Sequence, residues 1–307
     1  MGSAERAYAR IPAHQHGGWL WVVALCLLGA TGAAIGAAEP RRVHTYPKTI
    51  SETLANPAFQ GILAAGHRGA PTFAPENTLA SFAKAIELGA DIVELDVRAT
   101  RDGHFVIFHD ASVERLTRAR GSIEERTLEE VRQLEIGISE FPGRGGLPIP
   151  TLEEALKALR GRAIAYLDLK TGSAGRLAHE VVGLGATDYV FIGVRTAEAA
   201  RALRAASREV HLMAAPEGDP TQVLEDFLAS RPTLFEVRLP HLTPALVARL
   251  RQRGIRVFTS ALVAEEVLSS LVYEHVVSAG ADVILTDHLD SLTSSRQRRR
   301  EPSQVSP

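Results

Sequence analysis

Eight short apolar runs alternate with helix-like patterns between Ile62 and Leu292, and this alternation constrains the fold more than any other feature. Apolar runs separated by amphipathic segments predict parallel strands that are each followed by a covering helix. Eight such units in roughly 230 residues are the usual size of a closed barrel. The predicted strands are 62–67, 91–98, 163–170, 189–194, 209–214, 234–239, 256–260 and 282–287.

A doubly wound open sheet is the alternative arrangement of the same units. Such sheets commonly carry a glycine-rich phosphate loop after the first strand, and no such loop follows residues 62–67. We therefore predict an α/β fold, a (β/α)8 TIM barrel over residues 62–292. The connection from His109 to Pro150 is too long for a plain loop, and it includes a predicted helix at 127–135.

The two ends of the chain differ from this region. Residues 17–38 carry no charge and follow a basic start, which predicts a signal peptide or signal anchor over residues 1–38. Cleavage after Ala38 would export the protein to the periplasm or the outside of the cell. An uncleaved segment would instead hold it at a membrane. Residues 39–61 are a lead-in segment, and the polar, basic residues 293–307 predict a disordered tail.

Composition removes several classes of protein. The 45% of hydrophobic residues is ordinary for a globular domain and excludes wholesale disorder. A formal net charge of -2 offers no broad basic excess for binding nucleic acid. The single cysteine, Cys26, excludes both a disulfide framework and a cysteine-rich metal site.

Acidic side chains mark two of the predicted strands. The period of two along a strand places Glu94 and Asp96 on one side of 91–98, and Asp168 on the corresponding side of 163–170. The apolar residues between them should meet the helices, so the three carboxylates should face the barrel axis. Hard oxygen ligands favour Mg²⁺ or Ca²⁺ over Zn²⁺. The alternative is a set of buried ion pairs with Arg68 or Lys170.

Two histidines are expected at the same end of the barrel. His67 and Arg68 end the first strand, and His109 follows the apolar run 105–108. One histidine alone is more often structural than catalytic. Together with three acids and two cations, the pair indicates phosphodiester cleavage, with the cations on the phosphate and the histidines exchanging protons.

Long ordered stretches of the sequence are similar to a known family. HRGAPTFAPENTLASFAKAIELGADIVELDVRATRDGHFVIFHD, LPIPTLEEAL, YLDLK and ADVILTDHLD resemble the glycerophosphodiester phosphodiesterases, which are related to phospholipase C-like and spider-venom phospholipase D barrels. The resemblance extends from Gly66 to Asp290. It implies a metal-dependent hydrolase that splits glycerophosphodiesters into an alcohol and sn-glycerol 3-phosphate.

The resemblance also implies roles for particular residues. Glu94, Asp96 and Asp168 fall at the positions of the metal ligands, and Arg68 and Lys170 at positions that contact the phosphate. The family places a general acid and a general base at the two histidine positions, without indicating here which is which. Its route passes through a cyclic phosphate formed by the neighbouring glycerol hydroxyl.

The P-E-N-T stretch has two interpretations. Glu76 either bonds Arg68 at the site or stabilises the positive end of the next helix, which Asn77 or Thr78 would cap.

Three departures from the family pattern leave other functions open. Asp168 replaces the usual glutamate, as in the venom phospholipases D, and residues 192–194 and 257–260 differ from the motifs that commonly line the pocket. A phospholipase D-like hydrolase of lysophospholipids or membrane lipids is therefore the alternative. A non-catalytic phosphodiester-binding barrel is a third hypothesis.

Overall fold

The computed structural model of the protein describes residues 49–136, 146–262 and 270–300. Its strands are β1 (Leu63–Gly66), β2 (Ile92–Ala99), β3 (Phe105–Ile107), β4 (Glu135–Ile136), β5 (Leu147–Pro148), β6 (Ile164–Leu169), β7 (Val190–Val194), β8 (His211–Ala214), β9 (Leu234–Glu236), β10 (Arg256–Ser260) and β11 (Val283–Thr286). Its α-helices are α1 (Leu79–Glu87), α2 (Leu128–Val131), α3 (Leu152–Leu159), α4 (Ala174–Gly183), α5 (Ala197–Ala206), α6 (Pro220–Leu228), α7 (Pro244–Arg251), α8 (Ser270–Ala279) and α9 (Leu289–Arg300).

Eight parallel strands close into a barrel in the order β1, β11, β10, β9, β8, β7, β6, β2. The closing contact joins β1 to β2, with Ala65 opposite Ile92 and Gly66 opposite Val93. The predicted (β/α)8 barrel is thus confirmed, and the open sheet is excluded. β3 lies outside this ring as an antiparallel neighbour of β2.

Alternation along the strands separates two hydrophobic cores. Val93, Leu95 and Val97 on β2 pack outward into the core that the helices cover. Inward residues form a second core in the barrel, where the Tyr166 ring stacks on Phe191 with centroids 5.0 Å apart. Because the interior is filled with side chains, the space for chemistry lies at the ends of the strands.

The segment before β1 closes the base of the barrel. Ile50 and Leu54 are buried in the inner core, and the Ile50 amide donates to the Asp188 carbonyl at 2.8 Å. Nothing in the periodicity of residues 39–61 predicts this, because two isolated apolar residues produce no repeating pattern.

The long connection after His109 has a hydrophobic core of its own, which includes Val113, Ile123 and Ile136. Thr127 begins α2 with a capping box, but the prediction of a helix over 127–135 is wrong in its second half. The helix ends at Val131, and Ile136 pairs with Leu147 in the β4–β5 hairpin. Burial of Ile136 in the small core outweighs the local preference for helix.

The C-terminal prediction also needs correction. The sequence predicts a disordered tail from residue 293, whereas α9 continues through Arg300. Thr293 and Arg296 are buried, and the Arg296 guanidinium contacts both the Ile62 carbonyl and the Asp91 carboxylate. These polar partners lie more than 200 residues earlier in the chain, so local composition could not predict them.

The predictions for residues 1–38 and for residues 301–307 lie outside the described residues. Within the described part of the chain, no helix combines the length and apolar character needed to cross a bilayer.

Candidate active site

The polar residues at the predicted strand ends meet at the C-terminal mouth of the barrel. A cavity of about 430 Å³ opens there. Its lining includes His67, Arg68, Glu94, His109, Asp168 and Lys170. Asp96 is fully buried beside Glu94 and Asp168, and Glu76 lies in an adjoining depression with His67 and Arg68. The structure thus brings together all eight residues that the sequence singled out.

Parallel pairing of β2 with β6 creates the carboxylate cluster. Asp96 and Asp168 are register partners, and Glu94 lies one inward position below Asp96. One oxygen from each of the three carboxylates lies within 4.8 Å of the others, and all three residues are buried. Asp96 Oδ1 is buried and accepts no hydrogen bond, although the Lys170 ammonium forms an ion pair with it. Three hard oxygen donors held this close together fit a divalent cation.

Basic side chains surround this cluster. Lys170 Nζ lies 2.6 Å from Asp168 Oδ2 and 3.0 Å from Asp96 Oδ1. The Arg68 backbone amide donates to Glu94 Oε2 at 2.7 Å, and Arg68 Nε lies 3.4 Å from Asp96 Oδ2. Both cations are only partly exposed, so they can also face an anionic ligand in the cavity.

Glu94 and Asp96 differ in their electrostatics. Burial, together with repulsion from Asp96 and Asp168, raises the pKa of Glu94 well above its usual range. Burial acts in the same direction on Asp96, but Lys170 and Arg68 outweigh it and lower the pKa of that carboxyl. Packing three carboxylates this closely is costly, and a bound divalent cation would remove the cost.

Asn77 is a site residue that the sequence did not identify as one. Its side chain donates to Asp96 Oδ2 at 2.7 Å and accepts from the Asp96 amide at 3.2 Å. It holds a positive φ of 57°, a conformation that asparagine tolerates better than most residues. Thr78 caps α1, as one of the two alternatives predicted. Asn77 instead fixes the orientation of the Asp96 carboxylate.

His67 is oriented by Asp287, the residue that directly follows β11. The distance from His67 Nδ1 to Asp287 Oδ1 is 2.8 Å. Burial opposes ionisation of Asp287, but the His67 contact lowers the pKa of this carboxyl. A carboxylate at Nδ1 favours the tautomer that carries its proton on Nδ1. This tautomer leaves Nε2 unprotonated and available to a ligand in the cavity. Asp287 could have been identified from sequence by the same strand-end rule that selected His67.

His109 has an equivalent partner. Its Nδ1 lies 2.6 Å from Asp110 Oδ1, and its carbonyl accepts two bonds from the Arg98 guanidinium, at 2.7 and 3.0 Å. Burial is the main influence on the imidazole and lowers the pKa of His109. The ring is thus fixed in place and shifted toward its neutral form, which suits proton transfer near neutral pH.

Arg115 links Glu76, which contacts Arg68 next to His67, with Asp110, which contacts His109. Its guanidinium binds Glu76 at 2.7 and 3.0 Å and Asp110 at 2.5 Å. Glu76 also accepts from Arg68 Nη1 at 2.9 Å, which is one of the two interpretations that the sequence left open. Arg115 comes from the long connection, away from any strand end, and no local signal indicated it.

The cavity has an opposite wall, which we define as Tyr166, Arg195, Glu236 and Ser260. Arg195 follows β7 and donates to Asp168 Oδ2 at 2.8 Å. Ser260 Oγ donates to Glu236 Oε1 at 2.6 Å. The sequence indicated only that this wall departs from the family pattern at residues 192–194 and 257–260.

Comparison with known proteins agrees with this geometry. Residues 67–291 match the sequence model of the glycerophosphoryl diester phosphodiesterase family. The chain belongs to this family.

A glycerophosphodiester phosphodiesterase of Caldanaerobacter subterraneus is 41% identical over 111 residues, which are 36% of this chain and 46% of the relative. One from Bacillus subtilis is 34% identical over 118 residues, 36% of this chain and 40% of the relative. The matched segments span less than half the length of these curated relatives.

Solved structures of the family share the fold over most of the barrel. A glycerophosphodiester phosphodiesterase from Agrobacterium tumefaciens has a TM-score of 0.67 at 26% identity and covers 76% of this chain and 99% of its own. A phosphodiesterase from Oleispira antarctica, in complex with the product sn-glycerol-3-phosphate, has a TM-score of 0.68 at 24% identity, with coverage of 76% and 96%. At 24% identity, the similarity to the Oleispira antarctica structure supports the fold alone.

Proposed function

We propose that this protein is a divalent-cation-dependent glycerophosphodiester phosphodiesterase that releases an alcohol and sn-glycerol 3-phosphate. The observation that carries the proposal is the pair of carboxylate-oriented histidines, His67 and His109, that line one cavity with Glu94, Asp168 and Lys170. Family membership and the names of the curated relatives support the same reaction.

In this proposal, Glu94, Asp96 and Asp168 would hold the cation. Because all three ligands are carboxylate oxygens, they favour a hard ion such as Ca²⁺ or Mg²⁺. A bound divalent cation supplies charge neutralisation and polarisation of a phosphoryl oxygen. Arg68 and Lys170 would bind the remaining phosphate oxygens and keep the diester oriented between the histidines.

The histidines carry out the proton transfers. One Nε2 takes the proton of the attacking hydroxyl while the other Nε2 gives a proton to the departing oxygen. We propose that the glycerol hydroxyl next to the phosphate attacks first, the alcohol leaves with a proton from His109, and water then opens the cyclic phosphate. Trapping the cyclic phosphate in a rapid quench would support this route. One-step entry of solvent oxygen without a cyclic species would contradict it.

The first experiment is hydrolysis of glycerophosphocholine and glycerophosphoethanolamine by the full chain. Release of glycerol 3-phosphate would be followed with Ca²⁺, with Mg²⁺ and with EDTA. We expect release with at least one cation and none with EDTA. Release that EDTA does not affect would contradict the role of the carboxylate cluster, and no release under any condition would contradict the proposed reaction.

The phospholipase D-like alternative has two observations in its favour. Asp168 departs from the phosphodiesterase pattern, and the cavity lining includes the apolar residues Leu239, Pro240 and Leu262, the last of them 42% exposed. Apolar lining residues suit an acyl chain. Choline release from lysophosphatidylcholine, without release from glycerophosphocholine, would establish this alternative.

We also propose that residues 1–38 direct the protein out of the cytoplasm, because an uncharged stretch follows a basic start. Mass spectrometry of the N-terminus, on protein purified from a native membrane fraction and from the soluble fraction, tests this. A mature chain that begins at Glu39 indicates cleavage, and an intact chain in the membrane fraction indicates an anchor. An intact chain found only in the cytoplasm contradicts export.

A further inference from the structure

One guanidinium of the long connection binds two carboxylates of the candidate active site. Arg115 donates to Glu76 through Nη1 at 3.0 Å and through Nη2 at 2.7 Å. It donates to Asp110 through Nε at 2.5 Å and through Nη2 at 3.1 Å. Both contacts are two-point forks, which a planar guanidinium can form and a lysine ammonium cannot. Because a fork opposes rotation of the carboxylate, Arg115 holds both groups in one orientation.

Each of these carboxylates in turn contacts a residue that lines the cavity. Asp110 Oδ1 lies 2.6 Å from His109 Nδ1, and Glu76 Oε1 accepts from Arg68 Nη1 at 2.9 Å. Arg115 itself lines neither the cavity nor the adjoining depression. It therefore lies one carboxylate away from a proposed proton donor, His109, and one carboxylate away from a proposed phosphate ligand, Arg68.

Both carboxylates are ionised at neutral pH, which strengthens their contacts with Arg115. Burial acts to raise the pKa of Glu76, but Arg115 and Arg68 outweigh it and lower the pKa of this carboxyl. Burial acts in the same direction on Asp110, where Arg115 and His109 outweigh it and lower the pKa. Hydrogen bonds between ionised partners are roughly twice as strong as those between neutral ones. A neutral side chain at residue 115 would weaken both contacts.

The backbones of Arg115 and His109 are held independently of the Arg115 side chain. Val113 and Leu116, on either side of Arg115, are buried in the small core of the long connection. The His109 carbonyl accepts from the Arg98 guanidinium at 2.7 and 3.0 Å. Loss of the Arg115 side chain should therefore leave both backbones in place and release only the side chains that it orients.

We propose that Arg115 is a positioning residue that orients His109 through Asp110 and Arg68 through Glu76. The inference rests on the proposed function, in which His109 gives a proton to the departing alcohol and Arg68 binds the phosphate. It gives the long connection a part in the reaction, although that segment holds none of the proposed cation ligands.

The test compares two leaving groups on the same glycerol phosphate. Choline leaves glycerophosphocholine as a poor leaving group that needs a proton, whereas para-nitrophenolate leaves glycerophospho-para-nitrophenol without one. Both substrates keep the glycerol hydroxyl that attacks the phosphorus. With the full chain and Ca²⁺ or Mg²⁺, Arg115→Gln should lower kcat for glycerophosphocholine about 10- to 100-fold. It should lower kcat for the nitrophenyl substrate by no more than about threefold.

The contact through Glu76 has a different signature. A less ordered Arg68 should raise KM for both substrates about two- to tenfold, because both carry the same phosphate. Arg115→Lys keeps the positive charge but cannot form the two forks, so it should recover only part of the loss in kcat. Full recovery in the Lys variant would overturn the role of the forks.

Arg132→Gln is the matched control. Arg132 also belongs to the long connection, and its side chain is 41% exposed, as is that of Arg115. It forms a fork with Glu154 at 2.6 and 3.0 Å, and neither residue lines the cavity. Its variant should keep the wild-type kcat and KM for both substrates.

Equal losses of kcat for the two substrates in Arg115→Gln would assign the residue to the fold and overturn the proposal. Unchanged kinetics in this variant would also overturn it. Failure of the proposed function is distinguishable, because wild type would then hydrolyse neither substrate, and the role of Arg115 would fall with the reaction.

Discussion

The two sides of the barrel mouth are built on different principles. On the catalytic side, which carries His67, Glu94, Asp96, His109 and Asp168, every imidazole and carboxylate has a partner in the described structure. On the opposite wall, Glu236 accepts from Ser260, but the Tyr166 hydroxyl makes no hydrogen bond there. A dense network fixes reacting groups before substrate arrives, whereas an incomplete one leaves bonds for a ligand to make.

This difference implies that substitutions on the two sides should have different signatures. Changes on the catalytic side should lower turnover for every phosphodiester. Changes on the opposite wall should alter the discrimination between ligands.

Glu94→Ala should have the largest effect. It removes a buried carboxylate that accepts a hydrogen bond from the Arg68 amide, and with it one of the three proposed cation ligands. We expect turnover to fall on the order of 10⁴-fold and calorimetric binding of Ca²⁺ to be lost. Tight cation binding in this variant would contradict the three-carboxylate site.

His67→Ala and His109→Ala should lower turnover by about 10²- to 10⁴-fold while cation affinity stays near that of wild type. The matched control is His211→Ala, because His211 is partly buried at the other end of the barrel, bonded to Thr233. Retained turnover in either active-site variant would remove that histidine from the proton transfers.

Asp110→Asn should have a smaller effect on turnover, about 10- to 100-fold, since it changes the orientation of His109 and leaves the imidazole in place. It should also alter stability in acid. Burial opposes ionisation of Asp110, but Arg115 and His109 lower the pKa of its carboxyl to about 2 in the folded protein.

Because this folded-state pKa lies below the unfolded value of about 3.9, Asp110 stabilises the fold above that pH and loses the contribution as the pH falls toward 2. Urea unfolding of wild type across this range should show a steeper loss of unfolding free energy than the Asn variant. Parallel curves for the two proteins would contradict the assignment.

Gly193→Ala should have the smallest effect on chemistry and should sharpen the comparison. The new Cβ displaces the Tyr166 ring, which lines the cavity, so we expect a loss of about 1–3 kcal/mol in unfolding free energy and a few-fold higher KM for glycerophosphocholine. Calorimetric binding of Ca²⁺ should change little, because the three carboxylates are intact. Gly183→Ala is the control, because a Cβ there meets nothing within 4 Å. An unchanged KM in the Gly193 variant would argue against a contribution of the Tyr166 position to substrate binding.

The catalytic side could be predicted from sequence because its members follow a simple rule. Period-two alternation places Glu94, Asp96 and Asp168 inward, and parallel pairing of β2 with β6 makes them neighbours. The eight strands followed from the same periodicity. The opposite wall could not be predicted in this way, because Glu236 and Ser260 are unremarkable polar residues until the register of β9 and β10 brings them together.

Residues from the long connection and the chain ends were missed for a related reason. Arg115, Ile50 and Arg296 each act through a partner distant in sequence. Local propensity contains no information about such partners.

The contact between His67 and Asp287 joins residues 220 positions apart. During synthesis, the first strand leaves the ribosome long before the last, and domains tend to fold as units once their chain is available. His67 therefore acquires its orienting carboxylate only when β11 has been made and has docked beside β1. A nascent or truncated chain that lacks β11 would hold most of the charged groups of the mouth and still be inactive, so hydrolysis would begin only with the completed protein.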